Sequence, residues 1–237
     1  MDSETLISYA KDLGIELRED KASLMMKYAN RVIEKNSSIN LTSITDENEF
    51  IIKHIIDSIT VAVHTEMKGR ILDVGTGGGF PGVILKIFNP ENEIVLLDSV
   101  KKKLLAVEEI CKELTICVTT VHKRSEEYAH EADRETFDCV VARAVAPMPK
   151  LLELCLPLVK VTGHFIAMKG PNVSSEIYEA SDVEELLGAR LKKQISLQLP
   201  KEVGRTLVIY EKIKNTPKGF PRTPKRIKNE PIKSMQS

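Results

Sequence analysis

The chain has 237 residues, 42% of them hydrophobic, and a formal net charge of zero. That length holds one large domain or a domain with an appendage. No apolar run nears the roughly 18 residues of a membrane span, and charges among the first 20 residues interrupt any secretory leader. Cys111, Cys117, Cys139 and Cys155 are too few and too scattered for a disulfide framework or a zinc site, and they suit a reducing cytosol.

Residues 1–66 read as helical. Leu24, Tyr28, Ala29, Val32 and Ile33 fall at helical spacing, and Gly14 is placed to stop a first short helix. Asp46, with Glu49 three residues on, resembles a capping box. The helix it opens carries Phe50, Ile51, Ile55 and Ile59 on one stripe.

Residues 67–211 alternate strand and helix. Short runs rich in Val, Ile and Leu occupy 70–74, 93–97, 137–142, 164–168 and 206–210, with a further strand expected at 117–121. Continuous rather than alternating apolar runs suit strands covered on both faces. Amphipathic stretches at 80–88, 101–114, 150–159 and 173–187 lie between them. The pattern predicts a doubly wound, mostly parallel α/β sheet. Strands at 191–199 and 206–210 have no helix between them, which predicts a terminal antiparallel hairpin.

Residues 212–237 form the third region. Eight basic residues (Lys212, Lys214, Lys218, Arg222, Lys225, Arg226, Lys228 and Lys233) face only Glu230, so the segment is +7 and the rest of the chain −7. With Pro217, Pro221, Pro224 and Pro231 it reads as an extended, unpacked basic tail. It either meets an anionic partner or is simply a solvated end.

The strongest motif is Leu72-Asp73-Val74-Gly75-Thr76-Gly77-Gly78-Gly79-Phe80-Pro81-Gly82. It follows a strand and opens a helix, the setting in which a glycine-rich turn lets backbone approach a nucleotide. Gly77, Gly79 and Gly82 also spell the dinucleotide fingerprint. Phe80 and Pro81 add bulk where a pyrophosphate must lie, and Asp73 would repel it. The same carboxylate attracts the cationic methionyl end of S-adenosylmethionine. Asp98 ends the next strand, 23 residues after Gly75, close to the roughly 20 expected of a ribose-binding carboxylate. A cap for the helix that follows is the alternative role, and one carboxylate can serve both. Ser125-Glu126 follows the 117–121 strand, at the edge that faces adenine in this kind of sheet.

Further stretches carry a family resemblance: Asn40-Leu41-Thr42, Lys53-His54-x-x-Asp57-Ser58, Leu96-Leu97-Asp98-Ser99, Arg143-Ala144-Val145-Ala146-Pro147, Lys169-Gly170, Pro200 and Arg205-Thr206-Leu207-Val208-Ile209. With the glycine-rich motif they span about residues 40–210, and the chain resembles the ribosomal RNA small subunit methyltransferase G family, also called glucose-inhibited division protein B. The resemblance implies a class I S-adenosylmethionine-dependent methyltransferase fold, Rossmann-like, with an N-terminal helical extension. It implies methylation of N7 of a guanine in the 530 loop of 16S rRNA, with the small ribosomal subunit as partner and no membrane or protein partner. Contacts to S-adenosylmethionine are implied at Gly75, Phe80, Ser125, Glu126 and Arg143, which join Asp73, Gly77 and Asp98. The family's proline-rich basic tail is begun here by Phe220-Pro221-Arg222-x-Pro224 and then replaced by Lys225-Arg226-Ile227.

Four residues are candidates for the substrate cleft: His54, Asp57, Arg143 and Lys169. His54 and Asp57 lie one helical turn apart and read equally as a helix-face pair. Arg143 and Lys169 end neighbouring strands at the edge where open sheets bind ligands, where a surface salt bridge is the alternative. Guanine N7 has no proton to remove, so no general base and no metal are expected. Three other readings remain open: a methyltransferase of a small molecule or protein, a nicotinamide-dependent oxidoreductase, and a ribosome-binding module without catalysis.

Overall fold

The computed structural model describes residues 2–143 and 145–232. Ala144 and Lys233, both named above, lie outside them. The chain opens with helices α1 (Ser3–Asp12) and α2 (Glu19–Ile39). A short α3 (Glu47–Phe50) runs through a π-helical segment (Ile51–Ile56) into α4 (Asp57–His64). Asp46 caps this helix as expected, its Oδ1 accepting from the Glu49 amide at 2.8 Å. Strand and helix then alternate through β1 (Arg70–Val74), α5 (Gly82–Phe88), β2 (Glu93–Asp98), α6 (Lys101–Glu113), β3 (Thr119–His122) and α7 (Ser125–Tyr128). The second half holds β4 (Phe137–Arg143), α8 (Met148–Cys155), β5 (Val159–Lys169), α9 (Ser174–Leu186), β6 (Ala189–Leu199) and β7 (Val203–Lys212). A last helix, α10 (Pro224–Asn229), lies in the C-terminal segment.

The seven strands form one sheet in the order β3-β2-β1-β4-β5-β7-β6. The β1–β2, β2–β3, β1–β4 and β4–β5 pairs are parallel, and β7 runs antiparallel to both neighbours. Pleating sends alternate residues to opposite faces. Ile71, Leu96, Val141 and Ile166 join a core with α1, α2, α4, α5 and α6. Leu72, Leu97, Val140 and Phe165 join another with α8 and α9. Both faces are therefore covered, which explains why the strands read as unbroken apolar runs. The chain reverses its winding between β1 and β4, and the edge at their carboxyl ends is where such sheets bind ligands.

The C-terminal segment departs from expectation. Instead of extending into solvent, residues 213–232 fold back against the second core, where Phe220 and Ile232 pack and Ile227 is buried. Lys212 is fully buried, and its ammonium donates to Glu135 Oε1 at 2.9 Å, Leu156 O at 2.7 Å and Thr216 Oγ1 at 2.8 Å. Composition treats each lysine as solvated, but buried carboxylates on the body neutralise particular cations of the segment.

Candidate active site

The loop after β1 is held from three directions. Asp73, buried at its root, accepts through Oδ2 from Thr76 Oγ1 at 2.6 Å and from the Gly82 amide at 2.8 Å. Asp98, at the end of β2, accepts from the Gly77 amide at 2.9 Å and from the Val100 amide at 2.8 Å. Its second bond precedes α6 and does not cap it, since α6 starts from Val100 with no side-chain cap. From the N-terminal region, the Tyr28 hydroxyl donates to Gly78 O at 2.8 Å. That approach requires glycine next door: a Cβ on Gly79, whose φ is +86°, would lie 2.0 Å from the Tyr28 hydroxyl. At Gly82 an added Cβ would meet Leu96 at 2.3 Å.

Asp73 Oδ1 is buried and has no hydrogen-bond partner among the described residues. Burial drives the carboxyl pKa up to about 6, against the bonds from Thr76 and Gly82. A buried acceptor with unused capacity, at the mouth of a tight turn, fits a site for a cationic group.

Beside the loop lies a cavity of about 450 Å3. Val74, Leu97, Val145 and Leu154 supply its apolar walls, and Gly75, Asp98, Ser125 and Glu126 its polar edge. The Ser125 hydroxyl donates to Leu154 O at 2.6 Å, and Glu126 accepts from Arg124 Nε at 2.6 Å. An apolar slot lined also by two carboxylates, Asp98 and Glu126, suits a nucleoside, with its base against the apolar wall and its ribose hydroxyls towards a carboxylate. The residues present therefore fit S-adenosylmethionine.

A second constellation joins the end of β4 to the π-helical segment. Arg143 donates to Lys53 O at 2.7 Å and to His54 Nδ1 at 2.8 Å, and lies 3.5 Å from Asp57 Oδ2. Arg205, from β7, donates to Asp57 Oδ1 at 2.7 Å. A guanidinium only donates, so His54 Nδ1 must be the bare nitrogen and Nε2 carries the proton. That proton goes to Thr42 Oγ1 at 2.7 Å. The imidazole stacks on Phe80, with centroids 4.7 Å apart and planes 15° from parallel. Burial, then Arg143 and Arg205, depress the His54 pKa to about 3, so the ring is neutral at any physiological pH. Burial raises the pKa of Asp57, with the two arginines pulling against it.

The expected site residues thus fall into two groups. Asp73, Gly75, Gly77, Asp98, Ser125 and Glu126 surround the cavity or shape its loop. Phe80, His54, Asp57 and Arg143 form a buried cluster under the N-terminal helices. Lys169 stands apart from both, donating to Ala146 O at 2.8 Å and to Glu176 Oε2 at 2.6 Å. It fixes the loop after β4 and does not reach into open space. Tyr28, Thr42 and Arg205 were not singled out from sequence, although Thr42 and Arg205 lie within the stretches that carry the resemblance. Their partners are 50, 12 and 148 residues away, separations at which helical or strand periodicity predicts no contact.

A family described as rRNA small subunit methyltransferase G matches residues 21–204. A ribosomal RNA small subunit methyltransferase G from Clostridium tetani is 43% identical, covering 97% of this chain and 98% of that protein. The protein of the same name from Desulfitobacterium hafniense is 43% identical over 89% of each. Among solved structures, a SAM-dependent O-methyltransferase from Thermotoga maritima aligns at a TM-score of 0.50 and 14% identity, covering 78% of this chain and 72% of that one. TrmN from Thermus thermophilus aligns at 0.52 and 14%, covering 67% and 48%. These two likenesses bear on architecture, and they agree with a class I, Rossmann-like methyltransferase fold. Matched along nearly its whole length, the chain belongs to the rRNA small subunit methyltransferase G family.

Proposed function

We propose that the chain methylates N7 of a guanine in the 530 loop of 16S rRNA, using S-adenosylmethionine bound at the carboxyl edge of β1 and β2. Family membership over most of the chain carries the reading, and the cavity beside the glycine-rich loop supports it. Asp98 is assigned to the ribose hydroxyls, and Ser125 and Glu126 to the adenine edge. Asp73, Gly75 and Gly77 are assigned to the methionyl end. Phe80, in ring contact with Tyr28, Phe50 and His54, and Arg143, bonded to Lys53 and His54, tie the end of the loop and of β4 to the N-terminal helices. When bound, the cofactor supplies an electrophilic methyl group on a sulfonium.

Guanine N7 presents a lone pair and no hydrogen, so the protein has to align that lone pair with the methyl group and keep water out. The chemistry needs no general base, and the cluster nearest the loop agrees with that. His54 is neutral and both of its nitrogens are engaged, while Arg143 is spent on Lys53, His54 and Asp57. The methylated ring gains positive charge, so a guanidinium held by its own partners is better placed than one pointing at N7. An rRNA substrate also sets the enzyme's work in the cytosol.

The test is transfer of labelled methyl groups from S-adenosylmethionine to small ribosomal subunits lacking the modification, followed by nucleoside analysis. Label in 7-methylguanosine from the 530 region is the expected outcome. Label in another nucleoside, or in protein alone, would refute the assignment.

A further inference from the structure

The geometry points to Arg222, in the C-terminal segment, as a positioning residue for the cofactor pocket, acting through Glu153 on α8. The inference rests on the pocket beside Gly75 being the S-adenosylmethionine site.

Glu153 is fully buried. Its carboxylate accepts from the Arg222 amide and Nε at Oε1, both at 2.8 Å, and from an Arg222 terminal nitrogen at Oε2, also 2.8 Å. One residue thus supplies three charge-assisted or backbone bonds to one buried charge. The same guanidinium donates to Glu230 O at 3.1 Å and Pro231 O at 3.5 Å, which turns the end of the segment back against α8. Arg222 is therefore the point at which the segment is fastened.

The next residue on α8 faces the pocket. Leu154 contributes to the apolar wall, and its carbonyl accepts from the Ser125 hydroxyl at 2.6 Å. Ser125 begins α7 and lines the same wall with Glu126. The connection runs from Arg222 to Glu153, through one peptide to Leu154, and across one hydrogen bond to Ser125. A buried carboxylate that loses both guanidinium bonds and keeps only the backbone amide is left with uncompensated charge, and its rearrangement moves the turn of α8 that carries it. Leu154 O and the Ser125 side chain would move with it. A cation that composition assigns to a segment open either to an anionic partner or to solvent is instead spent inside the protein, one residue from the pocket wall.

The test uses the full chain. Arg222→Met should weaken S-adenosylmethionine binding roughly ten-fold or more, measured by calorimetry well below the variant's melting temperature. KM for the cofactor should rise, with kcat at saturating cofactor and KM for the ribosomal substrate nearly unchanged. A loss of global stability alone would lower the active fraction, hence kcat, and leave KM in place. Glu153→Gln with Arg222→Met removes the stranded charge but keeps an acceptor for the residue 222 amide, and should restore most of the affinity. Arg222→Lys keeps the charge without the fork, so it should fall between wild type and Arg222→Met, and it serves if the Met variant does not fold. Amide exchange at Ser125–Tyr128 in the absence of cofactor should rise in Arg222→Met. A folded Arg222→Met with wild-type affinity and wild-type exchange would overturn the proposal. Raised exchange in Arg222→Met, combined with a wild type that binds no S-adenosylmethionine, would overturn the pocket's assignment and leave the mechanical link standing.

Discussion

Two buried side chains near the glycine-rich loop set opposite expectations for pH. His54, with its pKa near 3, carries no charge to lose or gain above pH 5. Single-turnover methyl transfer at saturating substrates should then be nearly flat between about pH 6 and 9, because neither His54 nor any base titrates there. A rate that followed one ionisation in that range, and lost the dependence in His54→Ala, would overturn the no-base mechanism and point to an exocyclic amine as the methylated atom. Asp73 behaves differently. Burial raises its folded pKa to about 6, above the 3.8 of an exposed Asp. Between those values the native state holds a proton that the unfolded chain has released, so native stability falls as pH rises through the window. The loss is about 3 kcal/mol for a shift of two units. It is complete above pH 6, where the carboxylate is charged and ready for a cationic ligand. Denaturant titrations of wild type and Asp73→Asn from pH 4 to 7 should converge or cross, with only the wild type losing that increment. S-Adenosylmethionine should bind more weakly below pH 6 in the wild type, with no such dependence in the variant. Parallel stability curves would show that Asp73 is already ionised throughout.

At the scale of elements, the central strands were legible because burial on both faces leaves an unbroken apolar run, the edge strands β3 and β6 are largely exposed, and each predicted strand is present with modest shifts. β3 lies at Thr119–His122 instead of 117–121, and β5 extends back to Val159 because its first half pairs across an irregularity with β4. The π-helical segment was not legible. Ile51, Ile52, Ile55 and Ile56 are all buried, and an apolar face that broad does not separate a period of 3.6 from a wider turn over six residues. Its consequence is local. Lys53 O faces Arg143 and His54 turns inward, as often happens where a wider turn interrupts a helix at a functional site. The Asp57–Arg205 pair was equally hidden, because it joins the start of α4 to β7 across most of the chain. It ties the N-terminal helices to the antiparallel strand, with Asp57 fully buried. Arg205→Met should therefore cost about 3–5 kcal/mol in urea unfolding, the cost of leaving a buried charge with one distant partner. Asp57→Asn added to it should recover more than half. A loss below 1 kcal/mol in the single variant would mean that Arg143 alone satisfies Asp57.

For the whole molecule, charge asymmetry was legible but its destination was not. Sequence gives the C-terminal segment eight cations; the structure divides them. Lys212 and Arg222 are taken by Glu135 and Glu153, and Arg226 pairs with Glu230 at the surface. Lys214, Lys218, Lys225 and Lys228 are exposed, and among the described residues none of them has a carboxylate partner. Lys150, at the start of α8, donates to Lys228 O at 3.3 Å, so α10 is held beside the loop that follows β4. Lys214 and Lys218 follow the end of β7, beside Arg134 and Glu135 at the amino edge of β4, while the loop after β4 contributes Val145 to the pocket wall and sets Lys225 and Lys228, on α10, towards the entrance. An RNA lying across the entrance would meet their charges, and each phosphate contact releases counterions. Replacing Lys225 and Lys228 together with Ala should lower affinity for small subunits or their rRNA. The dependence of log affinity on log salt should flatten by up to about two, near one for each lost contact. S-Adenosylmethionine binding should stay at the wild-type value, because Lys228 meets α8 through its backbone carbonyl, which alanine keeps, and neither lysine lines the pocket. The reverse pattern belongs to Arg222, whose loss acts on the cofactor and leaves the salt slope alone. An unchanged slope in the double variant would make these lysines a solvated face and place the RNA on another side of the entrance.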